Sequence, residues 1–200
     1  TLPSLSQDKV THIQKEIGKF YYYTWAVDCT MLTALGKLAS SQTINTATKK
    51  VADNVLWSLN YAATYPNTKL RYHASGMVLY IDSDVSYLLV SKARSRVGGH
   101  HYLTSASKDN TKAPVNTPPP NGPLHAVCSI MKNVMASAAE AEMGGLFVNG
   151  QEAIILRTTL EEIGHPQPAT PIKTDNSTAA GIANKSIRQR RSRSMDMRFY

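Results

Sequence analysis

Gly76-Met77-Val78-Leu79-Tyr80-Ile81-Asp82-Ser83-Asp84 decides how this chain is read. Its first six residues favour β-structure and it ends on two carboxylates, so a strand with an acidic end is predicted. Tyr87-Leu88-Leu89-Val90 reads as a second short strand, with Asp82-Ser83-Asp84 as the turn between the two.

Downstream, His100 to Thr104 is a further strand candidate, and the Pro-rich stretch Ser105 to Pro123 reads as a loop. Leu124 to Met131 is the next strand. Ser137 followed by Glu140 forms a capping box, which starts a helix over Ala138 to Ile163, interrupted near Asn149-Gly150. Gly164-His165-Pro166 stops it. Pro171 to Thr174 is then a short strand and Asn176 to Asn184 a short helix. Strands, helix, strand, helix in that order predict a mixed α/β domain over 71–200.

Upstream the period changes. Val10, Ile13, Ile17 and Phe20, then Met31, Leu35 and Leu38, then Val51, Val55 and Leu59 recur at helical spacings. Tyr65-Pro66 closes this pattern, so 1–70 is predicted as a separate helical region. Tyr21, Tyr22, Tyr23 and Trp25 are core candidates at that spacing, with base stacking as the alternative.

Twenty-two Lys and Arg against fourteen Asp and Glu give a net charge of +8, which favours acidic partners such as nucleic acid. Arg188, Arg190, Arg191, Arg193 and Arg198 crowd the end of the chain, and Lys92, Arg94 and Arg96 form a smaller group. Cys29 and Cys128 sit in no metal or redox spacing, which argues against a disulfide framework and fits a reducing compartment. No apolar stretch approaches the roughly 20 residues that span a bilayer. The expectation is an intracellular protein, in a cytoplasmic particle or the nucleus, with no secretion signal and no membrane partner. A start at Thr1 and a stop after a charged run suggest a piece of something longer.

Three acids fall where α/β sites form: Asp82 at a strand end, Glu142 early in the long helix, and Asp175 between a strand and a helix. Carboxylates converging from separate elements supply hard oxygen ligands suited to Mg²⁺ or Mn²⁺. Two such ions about 4 Å apart can activate water and stabilise the leaving oxygen of a phosphodiester.

The residues around these acids carry a resemblance. Tyr80-Ile81-Asp82-Ser83-Asp84 resembles the first-strand motif of the ribonuclease H domain of copia-type retrotransposons. Ser137-Ala138-Ala139-Glu140-Ala141-Glu142 is similar to that family's Ser-Ser-x-Glu-Ala-Glu motif, and Asp175-Asn176-Ser177-Thr178-Ala179 to its Asp-Asn-x-x-Ala motif. Arg191 to Tyr200 resembles its Arg-x-Lys-His-Ile-Asp-Ile-Arg-Tyr-His segment. The likeness covers roughly His73 to Tyr200. Ile17 to Tyr22 and Ala26 to Leu32 look like the thumb or connection region preceding that domain in the reverse transcriptase polyprotein.

The resemblance implies a ribonuclease H-like mixed sheet flanked by helices, with its final strand and helix beyond Tyr200. It implies hydrolysis of RNA in RNA–DNA hybrids by two Mg²⁺ or Mn²⁺ ions on Asp82, Glu142, Asp175 and a fourth acid outside the chain. Asp196 matches a position that is not a ligand in the family. Glu142 is the expected ligand and Glu140 the cap, because residues two apart on a helix point about 200° apart. Asp84 is the alternative within its motif, sharing the face of Asp82 if the strand runs on. Arg188, Arg190, Arg191, Arg193 and Asn176 are the expected nucleic-acid contacts, and the rest of the polyprotein an expected partner. The chain departs from the family at Val85-Ser86-Tyr87, where Trp-Ala-Gly is common, and at Met143, where an aromatic residue is usual. The final strand missing from the chain supports a second reading: a catalytically incomplete remnant that binds nucleic acid through its basic surface.

Overall fold

A computed structural model describes residues 5–40, 49–105 and 120–187, and the chain divides into two units, Thr1–Leu70 and Arg71–Tyr200. The first is helical where described. α1 (Gln7–Ala26) turns through a 3₁₀ step at Cys29–Met31 into α2 (Leu32–Ala39), and α3 (Lys49–Thr64) follows. Ile13 and Ile17 of α1, Met31, Leu35 and Leu38, and Val55 of α3 form the core. The buried Asp28 is satisfied where the chain turns, its Oδ1 accepting from Thr30 N (3.2 Å) and Thr30 Oγ1 (2.5 Å). Tyr21 and Tyr23 pack against this core, whereas Tyr22 and Trp25 are exposed.

The second unit is α/β. β1 (Val78–Val90), β2 (Arg94–Thr104), β3 (Pro123–Ile130) and β4 (Ile172–Lys173) form one mixed sheet in the order β3-β2-β1-β4. β1 pairs antiparallel with β2 and parallel with β4, and β2 pairs antiparallel with β3. α4 (Ala138–Glu162) connects β3 to β4, and α5 (Ser177–Ala183) follows β4.

The turn expected at Asp82-Ser83-Asp84 is corrected: the strand runs straight through. Asp82, Ser83 and Asp84 pair in register with His100, Gly99 and Gly98. The period-two pattern supplies the reason. Leu79, Ile81, Ser83 and Val85 are all buried, so the chain keeps one face down past the acids. Ser83 can occupy such a position because its Oγ accepts from Asn149 Nδ2 at 2.9 Å.

The break expected at Asn149-Gly150 is also absent, and α4 is continuous. Asn149 is fully buried, and its amide donates to Ser83 Oγ and to Gly98 O (3.1 Å), so it acts as a polar rivet between helix and sheet. Gly99 leaves room for it, since a Cβ there would collide with Asn149 Oδ1. At the helix start the expected cap forms: Ser137 Oγ accepts from Glu140 N (3.1 Å), and Glu140 Oε2 accepts from Ala136 N (2.7 Å).

Two apolar clusters fix α4 on the sheet. Leu79 and Ile81 meet Ala153 and Leu160, while Val85 and Val97 meet Ala141, Met131 and Met135. Neither cysteine is in a disulfide. Among the described residues no helix is long and apolar enough to cross a membrane.

Candidate metal centre

Three elements bring their acids together beside the middle of β1, just past the end of its pairing with β4. Carboxylate oxygens of Asp84 on β1, Glu142 on α4 and Asp175 between β4 and α5 all lie within 4.8 Å of one another. Asp84 and Asp175 are exposed and Glu142 is buried. Hard oxygen donors at this spacing suit a divalent cation such as Mg²⁺, Mn²⁺ or Ca²⁺.

Each ligand has its own support. Gly145 lets α4 approach β1 closely, because a Cβ there would overlap Val85 Cγ2 and stand 3.4 Å from Ser83 Oγ. That approach carries Glu142, three residues earlier on the helix, to the sheet. Thr174 Oγ1 donates to Glu142 Oε2 at 3.1 Å and so orients it. Asp175 is placed through the segment entering β4. Arg157 on α4 donates to Pro168 O, to Thr170 Oγ1 (2.8 Å) and to Gln167 O (2.9 Å). Gln167 Oε1 in turn accepts a hydrogen bond from Leu79 N (2.9 Å), and its Nε2 donates one to Met77 O (2.8 Å). Its amide thereby continues the β1 edge beside β4.

The electrostatics fit an ion-binding cluster. Burial pushes the Glu142 carboxyl above the usual carboxylate range, the Thr174 hydroxyl opposes this, and the Asp175 and Asp84 charges push it further up. A cation would reverse the balance by neutralising the repulsion.

Asp82 lies outside this cluster. It stands across the strands from His100, next to the pair Tyr80 and Tyr102, whose rings are 5.4 Å apart. Burial, with Asp82 beside them, raises both phenols, while burial lowers His100. Neither Asp82 Oδ1 nor the Tyr102 hydroxyl, both buried, makes a hydrogen bond of ordinary geometry.

Of the carboxylates singled out in the sequence, Glu142 and Asp175 therefore meet, and the third member is Asp84 from the same motif as Asp82. Asn176 caps α5, its Oδ1 accepting from Ala179 N at 2.9 Å. Arg188, Arg190, Arg191 and Arg193 lie outside the described residues, as do Arg198 and Asp196. The Thr174, Gly145 and Arg157 supports carry no sequence signal except Thr174, which adjoins the Asp175 motif.

Comparison with protein-family models, curated proteins and solved structures finds no match to this chain.

Proposed function

We propose that residues 71–200 form a metal-dependent phosphodiesterase of the ribonuclease H type, cutting RNA within RNA–DNA hybrids as part of a copia-type retroelement polyprotein. One observation carries the reading: Asp84, Glu142 and Asp175 converge from a strand, a helix and a strand–helix junction. The order of the three motifs and a mixed sheet with α4 on one face are compatible with that fold.

Asp84, Glu142 and Asp175 would hold Mg²⁺ or Mn²⁺, a pair of ions where a fourth acid joins them as the family resemblance implies. Such an ion, when bound, supplies a Lewis acid and a charge that offsets the phosphodiester. The chain's own residues do the rest. Thr174 fixes the Glu142 carboxylate by a hydrogen bond to Oε2, so that its rotamer is set before substrate arrives. Burial of Glu142 beneath two exposed acids leaves Asp84 and Asp175 facing the side from which a nucleic acid strand can approach. A net charge of +8 draws that polyanion to the protein. Recognition would rest on the hybrid's 2′-hydroxyls and groove shape, without base reading.

Incubation of the full chain with a labelled RNA–DNA hybrid tests this directly. Cleavage of the RNA strand in Mg²⁺ or Mn²⁺, abolished by EDTA and by Glu142→Gln, is expected. Hybrid binding without metal-dependent cutting would favour the remnant that only binds.

A further inference from the structure

β1 and β2 lose register just beyond Asp84. Ser86 pairs with Arg96 and Val90 with Arg94, so Tyr87, Leu88 and Leu89 face Ser95 alone. This is a bulge in which β1 carries surplus residues, a device that re-aims side chains next to functional sites. Its broken ladder is repaired by a side chain: the Leu88 N–H donates to Oγ of the fully buried Ser95 at 3.1 Å.

The backbone here is strained. Leu88 has φ 54°, and the turn that follows has Lys92 at 64° and Ala93 at 51°. A branched Leu in the left-handed region is unfavourable, and such conformations cluster where function holds them. The outcome is that Leu89 is 82% and Leu88 38% exposed at the tip of a hairpin. Lys92, Arg94 and Arg96 follow in the same hairpin, with no acidic residue between Val85 and Val97.

The hairpin is tied to the carboxylates from both sides. Its first strand carries Asp84, and the Tyr87 hydroxyl donates to Met135 O (3.4 Å) on the loop leading into α4 and Glu142. Leu88 is four residues from Asp84, so the two lie at most about 13 Å apart along the chain, within roughly four base steps of a duplex.

We propose that the bulged hairpin Tyr87–Arg96 grips the nucleic acid duplex, Leu88 and Leu89 pressing on a groove edge while Lys92 and Arg94 contact phosphates. The inference rests on the reading of the carboxylates as a hybrid-cutting site. A hairpin that carries basic residues and no acids beside exposed leucines matches a polyanion whose sugars and base edges also accept apolar contacts better than it matches a protein surface. The strain holds the leucines out before the duplex arrives, so little ordering is left to occur on binding.

Anisotropy of a short fluorescein-labelled RNA–DNA hybrid, titrated with the full chain in Ca²⁺, measures the grip apart from cutting. Leu88→Ser/Leu89→Ser is expected to weaken binding about tenfold without changing its salt dependence. Lys92→Gln/Arg94→Gln is expected to reduce the slope of log K against log salt by about 2. Unchanged melting temperatures would show that both variants fold. Wild-type affinity and salt slope in both variants would overturn the proposal, and with hybrid cutting intact would leave the nuclease reading standing. Wild-type binding that depends on the hairpin, without metal-dependent cutting, would support the grip and sink the nuclease. Failure of the wild type to bind the hybrid would overturn both.

Discussion

Thr174 Oγ1 donates to Glu142 Oε2 across 3.1 Å, joining the residue after β4 to the second turn of α4. The bond matters because Glu142 is the buried member of an acidic cluster whose other members, Asp84 and Asp175, are exposed. Thr174→Val removes the donor while keeping the shape. It is expected to cost about 1 kcal/mol of stability and to weaken divalent-ion binding about tenfold. Thermal melts and ion titrations check the two effects separately.

Glu142 predicts a pH dependence whose sign is opposite to that of an ordinary ion-paired acid. Its carboxyl is held above the usual range, so the metal-free fold is favoured while Glu142 is protonated and loses that advantage as pH rises through the raised value. Melting in EDTA is therefore expected to show a penalty near neutral pH that Glu142→Gln relieves. Saturating Mn²⁺ should stabilise the wild type by about 2–3 kcal/mol at a hundredfold excess over its dissociation constant and leave Glu142→Gln unmoved.

His101 works in the other direction. It is fully buried, and burial lowers its pKa, with Asn149 O, 3.4 Å from its Nε2, opposing this. A depressed folded value means stability that is present above the ordinary histidine pKa of about 6.5 and is lost as pH falls through the folded value. The melting temperature is expected to fall on acidification below that point, and His101→Gln to flatten this limb.

Gly145 sets how closely α4 meets β1. Gly145→Val places branched carbons where Val85 Cγ2 already lies and is expected to cost about 1–3 kcal/mol by overpacking. Because the helix must move at the level of Glu142, metal binding should weaken in the same variant, whereas an exposed α4 substitution such as Ile155→Ala leaves it unchanged.

The supports differ in how visible they are in the sequence. The Ser137–Glu140 cap and the strand–Asp175–helix junction are legible, because both are local patterns that the backbone obeys within four residues. The course of β1 is not. Asp-Ser-Asp carries turn propensity, and what overrides it lies sixty-six residues away, in the Asn149 amide bonded to Ser83. A weak signal was present in the alternation of Leu79, Ile81, Ser83 and Val85, interrupted only by the serine. Arg157 and Gln167, which brace the entry to β4, are likewise invisible until α4 and β1 are side by side.

Mn²⁺ binding by the full chain, followed by electron paramagnetic resonance, tests the carboxylate centre most directly when Asp84→Asn and Asp82→Asn are compared. Asp84→Asn, like Asp175→Asn, is expected to weaken binding by about tenfold or more, and Asp82→Asn by no more than about twofold. Loss of Mn²⁺ in Asp82→Asn with retention in Asp84→Asn would contradict the convergence of Asp84, Glu142 and Asp175 and shift the site two residues back along β1.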